Sequence, residues 1–337
     1  MTTSEGRHRG ADLSVVVVSP HGFTHVRRCV RHLREQDDAA RVELVLVVPG
    51  RASLDDAAPG ELDGFASVVV LPVGPVPDVD RAAGRGLLAA SAPVVAVVED
   101  HAYVGPGWVT ALLAAYAGGD WCSVGSVMTN ANPATGLSWA NLLLGYGWWV
   151  DPGAAGELPD VPSHNGSYRR SALAPFGDAL PERMGRDGDL HDALRAAGGR
   201  MLLARGATVA HANPSTLAPT VDLRLNAGRL YAAGRADGEG WSAPRRLAFA
   251  AAWPLVAAVR LRRLHAEHLA AGRHLAGAPR RVLLGLATAL VVDALGQALG
   301  ALRGAGPAVE VLRTFEQDRL QHLRRPERAL LVEETPR

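Results

Sequence analysis

Lysine is missing from this chain: the 35 basic residues are all arginine. A Schiff-base lysine and a phosphate-loop lysine are therefore both excluded. With them go imine-forming aldolases and lyases and Walker-type nucleotide hydrolases. Cysteine is nearly absent as well. Cys29 and Cys122 stand far apart without metal-ligand spacing, which argues against a thiolate zinc site and a disulfide framework and leaves each as a buried thiol. The first ten residues are polar and hold no apolar run of the kind that opens a secretory signal, so the catalytic part is expected to face the cytoplasm. A net charge of +1 over 337 residues leaves no electrostatic footprint for nucleic acid.

What is present is an alternation of apolar runs and helical patterns. Leu13 to Val18 reads as a strand that turns at Ser19-Pro20-His21-Gly22, and Thr24 is placed to cap a helix with Val26, Cys29, Val30 and Leu33 on one face. Val42 to Val48 and Val68 to Leu71 read as strands, Asp80 to Ala90 as a helix, and Val94 to Val98 as a strand buried on both faces. Val109 to Tyr116 and Asp189 to Ala197 are helical, and Trp121 to Met128 is a further strand. Met201 to Ala204 and Ala207 to Ala210 are two short strands, the second ending at His211. This order predicts an α/β, mostly parallel, doubly wound sheet.

From Trp241 the character changes. Leu247 to Val259 is apolar, too short to span a bilayer, and bracketed by arginines, as an interfacial helix would be. Val282 to Leu302 is long enough to span but contains Asp293 and Gln297, which are costly in lipid. A surface helix, a span and a pair of core helices all fit these two segments. Val309 to Leu323 is amphipathic through Val309, Leu312 and Phe315 and reads as a docking helix. The expected division is a disordered tail over 1–10, an α/β domain over 11–240, an apolar helical, membrane-associated region over 241–305, and an amphipathic tail over 306–337.

Several short patterns bear on chemistry. The strand from Val94 stops at Glu99-Asp100-His101. In open α/β sheets ligands sit at the carboxyl ends of strands, and these side chains offer oxygen and nitrogen donors for Mg²⁺ or Mn²⁺ and, through the metal, a phosphate. Gly84-Arg85-Gly86-Leu87-Leu88-Ala89 matches a dinucleotide fingerprint. It falls inside a helix rather than at a strand-to-helix turn, however, so a nicotinamide or flavin site is not expected. Asp187 and Asp189 precede a helix, where one can cap the amides and the other can act as a general base. His211 is either a turn histidine or a metal ligand.

The order of these elements, from about Leu13 to His211, resembles the family 2 glycosyltransferases of the GT-A fold. The resemblance is strongest to a bacterial subgroup with words such as Glu99-Asp100-His101-Ala102-Tyr103, Pro106-Gly107-Trp108, Asn130-Ala131-Asn132-Pro133, Ser138-Trp139-Ala140-Asn141 and His164-Asn165 with Ser167-Tyr168. It implies a Rossmann-like, mostly parallel mixed sheet flanked by helices, followed by the C-terminal helical extension. It also implies a transferase moving a sugar from a nucleotide-diphosphate sugar to a hydroxyl acceptor, a glycan, lipid or cell-envelope precursor. The protein would then work at the cytoplasmic face of the cell membrane, peripherally or through a C-terminal anchor.

Carried over by position, Glu99, Asp100 and His101 occupy the family's Asp-x-Asp site. Glu99 and Asp100 would face the donor diphosphate; Asp100, His101 and His211 would hold a divalent ion, Mn²⁺ or Mg²⁺. Asp187 falls on the catalytic base, and Ser19 and Pro20 end the edge against which the nucleotide packs. Arg81 or Arg85 could brace the diphosphate. Trp139, His164, Asn165 and Tyr168 would meet the acceptor, although Trp139, Tyr146, Trp148 and Trp149 also suit a core or a membrane-interface belt. Two departures stand out: Pro49 replaces an Asp that ends the second strand in the family, and Glu-Asp-His replaces Asp-x-Asp. The rival class is a non-catalytic, membrane-associated binding or scaffold protein on the same fold. A nucleotidyltransferase is disfavoured because no Gly-rich loop with an activating Arg or Lys follows the first strand.

Overall fold

The computed structural model describes residues 10–150, 156–186, 188–266 and 279–332. Its centre is a mixed sheet of nine strands: β1 (Leu13–Val18), β2 (Val42–Val48), β3 (Ser67–Pro72), β4 (Val94–Val97), β5 (Ala102–Val104), β6 (Ser123–Asn130), β7 (Gly156–Leu158), β8 (Gly166–Arg169) and β9 (Met201–His211). The spatial order is β3-β2-β1-β4-β8-β6-β9-β5, with β7 also pairing β9. Strands β3, β2, β1 and β4 are mutually parallel. β8 enters antiparallel between β4 and β6, and β9 is parallel to β6 but antiparallel to β5 and β7.

The helices are α1 (Phe23–Arg34), α2 (Val79–Ala89), α3 (Trp108–Ala117), α4 (Gly136–Val150), α5 (Arg170–Leu173), α6 (Leu180–Met184), α7 (Asp189–Ala196), α8 (Leu217–Gly238), α9 (Ala243–Ala251), α10 (Trp253–Leu264), α11 (Pro279–Arg303), α12 (Ala308–Gln317) and α13 (Arg325–Leu331). Alternation along the strands makes two cores. Val15 and Val17 of β1, Leu44 and Leu46 of β2, and Ala96 of β4 face α1, α3, α4 and α11. Val16, Val45, Val47, Val95 and Val97 face α2, α6 and α7. This is why the central strands read as unbroken apolar runs rather than as alternating ones.

Local chemistry departs from the sequence reading at several points. α1 is capped by Asp56, whose carboxylate accepts from Phe23 N at 3.2 Å and Thr24 N at 2.8 Å, rather than by Thr24. The two short strands around Arg205-Gly206 are one strand, because the β6–β9 ladder continues across an irregularity at Ser126/Val127. Leu247 to Val259 is split at Trp253-Pro254 into α9 and α10, since proline cannot donate inside a helix. The glycines of the Gly84-to-Ala89 pattern serve packing. A Cβ on Gly86 would stand 2.3 Å from Val16 Cγ1, and one on Gly84 would stand 2.5 Å from Pro181 Cα. Bare backbone there lets α2 press on β1 and α6.

The long apolar helix α11 packs on α4, α8, α9 and α10. Half of its most apolar window is buried. Asp293 is ion-paired with Arg260 of α10, and Gln297 donates to the same carboxylate at 2.7 Å. Its two costly polar residues are thus satisfied inside the protein, as a packed helix requires.

Candidate functional site

In the order β3-β2-β1-β4 the chain runs outward from β1 in one direction and then returns to β1's other side. The reversal falls between β1 and β4, and their carboxyl ends open a crevice of the kind where ligands bind in α/β sheets. A cavity lies there, lined by Val18 at the end of β1, Val79, Asp80 and Ala83 of α2, Val97 to His101 at the end of β4, His164, and Glu316 of α12.

The turn after β4 is held on both sides. Val98 N donates to Val16 O, and Ala102 N donates to Glu99 O, each at 3.0 Å. Glu99 N donates to Asn165 Oδ1 at 3.1 Å, and Asn165 donates back to the Glu99 carboxylate. Pairing of β5 with β9 sets Ala102 opposite His211, which brings two histidines 110 residues apart into contact. His211 Nε2 lies 3.3 Å from Glu99 Oε2 and 3.0 Å from His101 Nε2. His101 Nε2 lies 3.7 Å from the same Glu99 oxygen. One donor atom from each residue lies within 4.8 Å of the other two, so the three could share a metal ion.

The far nitrogens are fixed by other side chains. His101 Nδ1 donates to Asp100 Oδ1 at 2.7 Å, and His211 Nδ1 donates to Asn213 Oδ1 at 2.9 Å. Asn213 is itself positioned by Asn132, which accepts from Asn213 N and donates to Asn213 O, both at 2.8 Å. Ser138 donates to Asn130 and Asn132 at 3.0 Å each. With both Nδ1–H groups used, the two Nε2 atoms present lone pairs to each other, a contact that requires a proton or a cation between them.

The electrostatics agree. Burial alone would push the Glu99 carboxyl up, but His101 and His211 outweigh it and hold the group well below the usual carboxylate range. Burial would lower His101, yet Glu99 and Asp100 raise it above its ordinary value, whereas burial drives His211 down. Without a metal, one proton on His101 bridging to a neutral His211 satisfies both shifts. A cation can take that proton's place.

Several sequence-derived residues meet here and others do not. Glu99, His101 and His211 form the cluster, while Asp100 touches the outer nitrogen of His101 rather than the cluster's interior. His164 lines the cavity, with Nδ1 3.2 Å from Asp80 and 3.9 Å from Glu99. Asn165 is fully buried behind Glu99, so its part is to hold that carboxylate. Tyr168 is also fully buried, its hydroxyl engaged by Ser163 O and His191 Nε2. Trp139 spends its indole N–H on Pro133 O at 3.0 Å and does not line the cavity.

Arg81 pairs with Asp78 and Glu182, Arg85 reaches Val73 O at 3.4 Å, and neither lines the cavity. Ser19 closes the turn after β1 through Gly22 O, with Pro20 following it. Asp187 lies outside the described residues. Its sequence neighbours Arg186 and Gly188 line a second small cavity with Ser163, His164 and His191.

Glu316, Arg319 and Asn213 were not anticipated. Glu316 and Arg319 sit in the amphipathic tail, where a polar residue beside Phe315 reads as the solvated side of a docking helix. Asn213 had a local signal, two residues after a strand-terminal His. Tyr146 of α4 proves to be the roof: its ring lies 4.8 Å from that of His211 and its hydroxyl is 3.4 Å from Glu99 Oε2.

No family model matches the chain, and no curated protein matches it. Among solved structures it is similar to one described as GalNAc-T7 with UDP, GalNAc and Mn²⁺, at 15% identity and a TM-score of 0.45. That match covers 60% of this chain and 44% of the other, so the chain spans less than half the length of that neighbour.

Proposed function

We propose that this protein is a metal-dependent glycosyltransferase that moves a sugar from a nucleotide-diphosphate donor to a hydroxyl acceptor. The observation that carries this reading is the convergence of Glu99, His101 and His211 at the β1/β4 reversal, beside a cavity. Asp80, Glu99, Asp100 and Glu316 bring four carboxylates to that cavity. A bare diphosphate would be repelled there, and a cation makes the site attractive to it. Two imidazoles in the donor set suit Mn²⁺ or Zn²⁺ better than Mg²⁺, which favours oxygen alone. The resemblance of Glu99 to His101, His164-Asn165 and His211 to the family 2 pattern supports the same class.

When bound, the cation would neutralise the charge that develops on a departing nucleoside diphosphate. The residues of this chain would do the rest. Asp100 and Asn213 keep the two imidazoles turned inward, Asn165 holds the Glu99 carboxylate, and Tyr146 covers the cluster from the α4 side. His164, which lines both cavities, would meet a sugar hydroxyl. Asp187 would take the acceptor proton, and a single displacement would invert the anomeric centre.

Thermal stabilisation with a panel of nucleotide sugars tests the reading. One donor together with Mn²⁺ should raise the melting temperature, and the rise should vanish in Glu99→Gln. No response to any donor, with or without metal, would overturn the enzyme reading and favour a binding protein.

We further propose that the protein works against the cytoplasmic membrane face through α9 to α11. Leu247, Leu255, Val259 and Leu284 are exposed there at 57–71%, and exposed arginines accompany them at Arg245, Arg262, Arg263, Arg280 and Arg281. Apolar side chains with a basic surround suit an anionic bilayer surface. Changing Leu247, Leu255 and Leu284 to serine should reduce co-sedimentation with anionic vesicles severalfold; unchanged partitioning would sink the idea.

A further inference from the structure

The second cavity, which has His164 in common with the first, is opposite to it in charge. The first gathers the carboxylates of Asp80, Glu99, Asp100 and Glu316. The second lies between the end of α6, the start of α7 and the turn before β8, and it is lined by Arg183 and Arg186 together with Ser163, His164 and His191. Among its described lining residues none is acidic.

Both arginines keep donors in reserve. The Arg183 guanidinium carbon lies 5.1 Å from the centre of the Phe176 ring, and Nη1 donates to Asp189 Oδ1 at 3.2 Å. Those two contacts fix the group, yet its Nε is buried with no hydrogen-bond partner. A buried N–H without an acceptor is destabilising, and an oxygen ligand relieves that cost. Arg186 is exposed, and no carboxylate pairs with it among the described residues. Between these arginines and the body of α7 stands Gly188, the helix N-cap, with φ of 78° and no side chain to cap the first amides. A helix start of this kind adds to the preference for an anion.

Size and donor number narrow the ligand. The cavity measures about 280 Å³ with its open mouth included, just under the range of about 300–1,000 Å³ that encloses a whole small ligand. It suits one charged group of a larger molecule. A carboxylate is satisfied by a single guanidinium fork, whereas a phosphate monoester has three strong acceptor oxygens and can use Arg183, Arg186 and the amide end of α7 together.

We propose that this cavity is a phosphate site and that the sugar acceptor carries the phosphate. The acceptor's role rests on the transfer reading above; the binding of phosphate does not. The two cavities sort their ligands by charge. Carboxylates repel a bare phosphate from the first, which takes a diphosphate only with its cation, while the arginines of the second hold the acceptor. An acceptor anchored there meets the donor at His164, which lines both.

Phosphorus NMR of inorganic phosphate with the full-length protein, freed of metal, tests the site. Wild type should broaden the phosphate line, and Arg186→Gln should bind at least about tenfold more weakly, the loss expected for one charge-assisted pair. Because Arg186 is exposed, this variant should melt with the wild type. Arg183→Lys keeps the charge but loses Nε and the planar fork, and should weaken phosphate severalfold. Acetate at equal concentration should not displace phosphate. Glucose 6-phosphate and the soluble lipid dihexanoyl phosphatidic acid separate the two sources of such a group. The natural class should bind at least about tenfold more tightly than inorganic phosphate, again through Arg186.

Equal phosphate affinity in wild type and Arg186→Gln overturns the site, as does a wild type that binds no phosphate or one from which acetate displaces it. If neither phosphate ester binds more tightly than inorganic phosphate, the acceptor role falls. A matching loss of UDP–Mn²⁺ affinity in Arg186→Gln would also overturn that role, because the cavity would then belong to the donor. Arg186-dependent phosphate binding with no response to any nucleotide sugar would instead refute the glycosyltransferase reading and leave the phosphate site standing.

Discussion

His211→Ala is expected to weaken divalent-cation binding by more than about 100-fold and to abolish any cation-dependent activity, the largest single effect in the chain. The magnitude follows from position. Substitutions that merely loosen the support behind a ligand cost about 10- to 100-fold in affinity or activity, and removal of the ligand atom should cost more. His211 Nε2 is the atom nearest to both other members of the cluster, 3.0 Å from His101 and 3.3 Å from Glu99.

Its loss leaves a low-lying Glu99 carboxylate and a single imidazole, too few donors to compete with water for a cation. Asn213→Ala provides the graded comparison. It keeps every donor atom but frees the His211 ring, so a loss of about 10- to 100-fold is expected. Because His211→Ala also strands Asn213 Oδ1 in the interior, at about 1–3 kcal/mol, the melting temperature must be taken first and titrations run well below it. Calorimetry with Mn²⁺ or Zn²⁺ then decides. Wild-type affinity in His211→Ala would remove this histidine from the centre; equal effects of His211→Ala and Asn213→Ala would mean that both act only through packing.

Much of the first half of the fold was legible because burial on both faces leaves a plain trace. Val15 to Val18, Val42 to Val48 and Val94 to Val98 are apolar at nearly every position, and their ends are marked by Pro20, Pro49 and Glu99. The second half was harder to read for topological reasons. β8 pairs antiparallel with β4 and β6, and its sequence Gly-Ser-Tyr-Arg has no strand-like run; its place is set by neighbours, not by its own composition.

The site divides the same way. Glu99 and His101 follow the apolar run of β4, and His211 ends β9, where a polar residue after an apolar run is conspicuous. Asn130 and Asn132 belong to a word noticed for its resemblance alone, and the structure gives them a reason: they carry Asn213, which turns His211 inward. Glu316 had no comparable mark. Its partner lies more than 200 residues away, and only the docking of α12 against α2 and α8 brings its carboxylate to His101.

Asp187→Asn is expected to cost about 10²- to 10⁴-fold in turnover while donor and cation binding stay near the wild-type level. The separation of the two effects is the content of the prediction. A carboxamide matches a carboxylate in shape but cannot accept a proton, so a residue that serves only as base loses rate and not affinity. Asp187 opens the stretch that leads into α7. The residues on either side of it, Arg186 and Gly188, line the second cavity, which has His164 in common with the cavity at the Glu99–His101 cluster.

Asp189, the other carboxylate of the pair, is already engaged, 3.2 Å from Arg183 at the first turn of α7. A helix-start carboxylate in an ion pair is a stabilising group, so Asp189→Asn should lower the melting point slightly and leave turnover within a few-fold. Steady-state rates and donor affinity for the two variants, measured on the same preparation, separate the roles. Should Asp189→Asn stop transfer while Asp187→Asn spares it, the base has been placed on the wrong carboxylate. Should both spare it, the acceptor proton leaves by another route, and His164 becomes the next residue to replace.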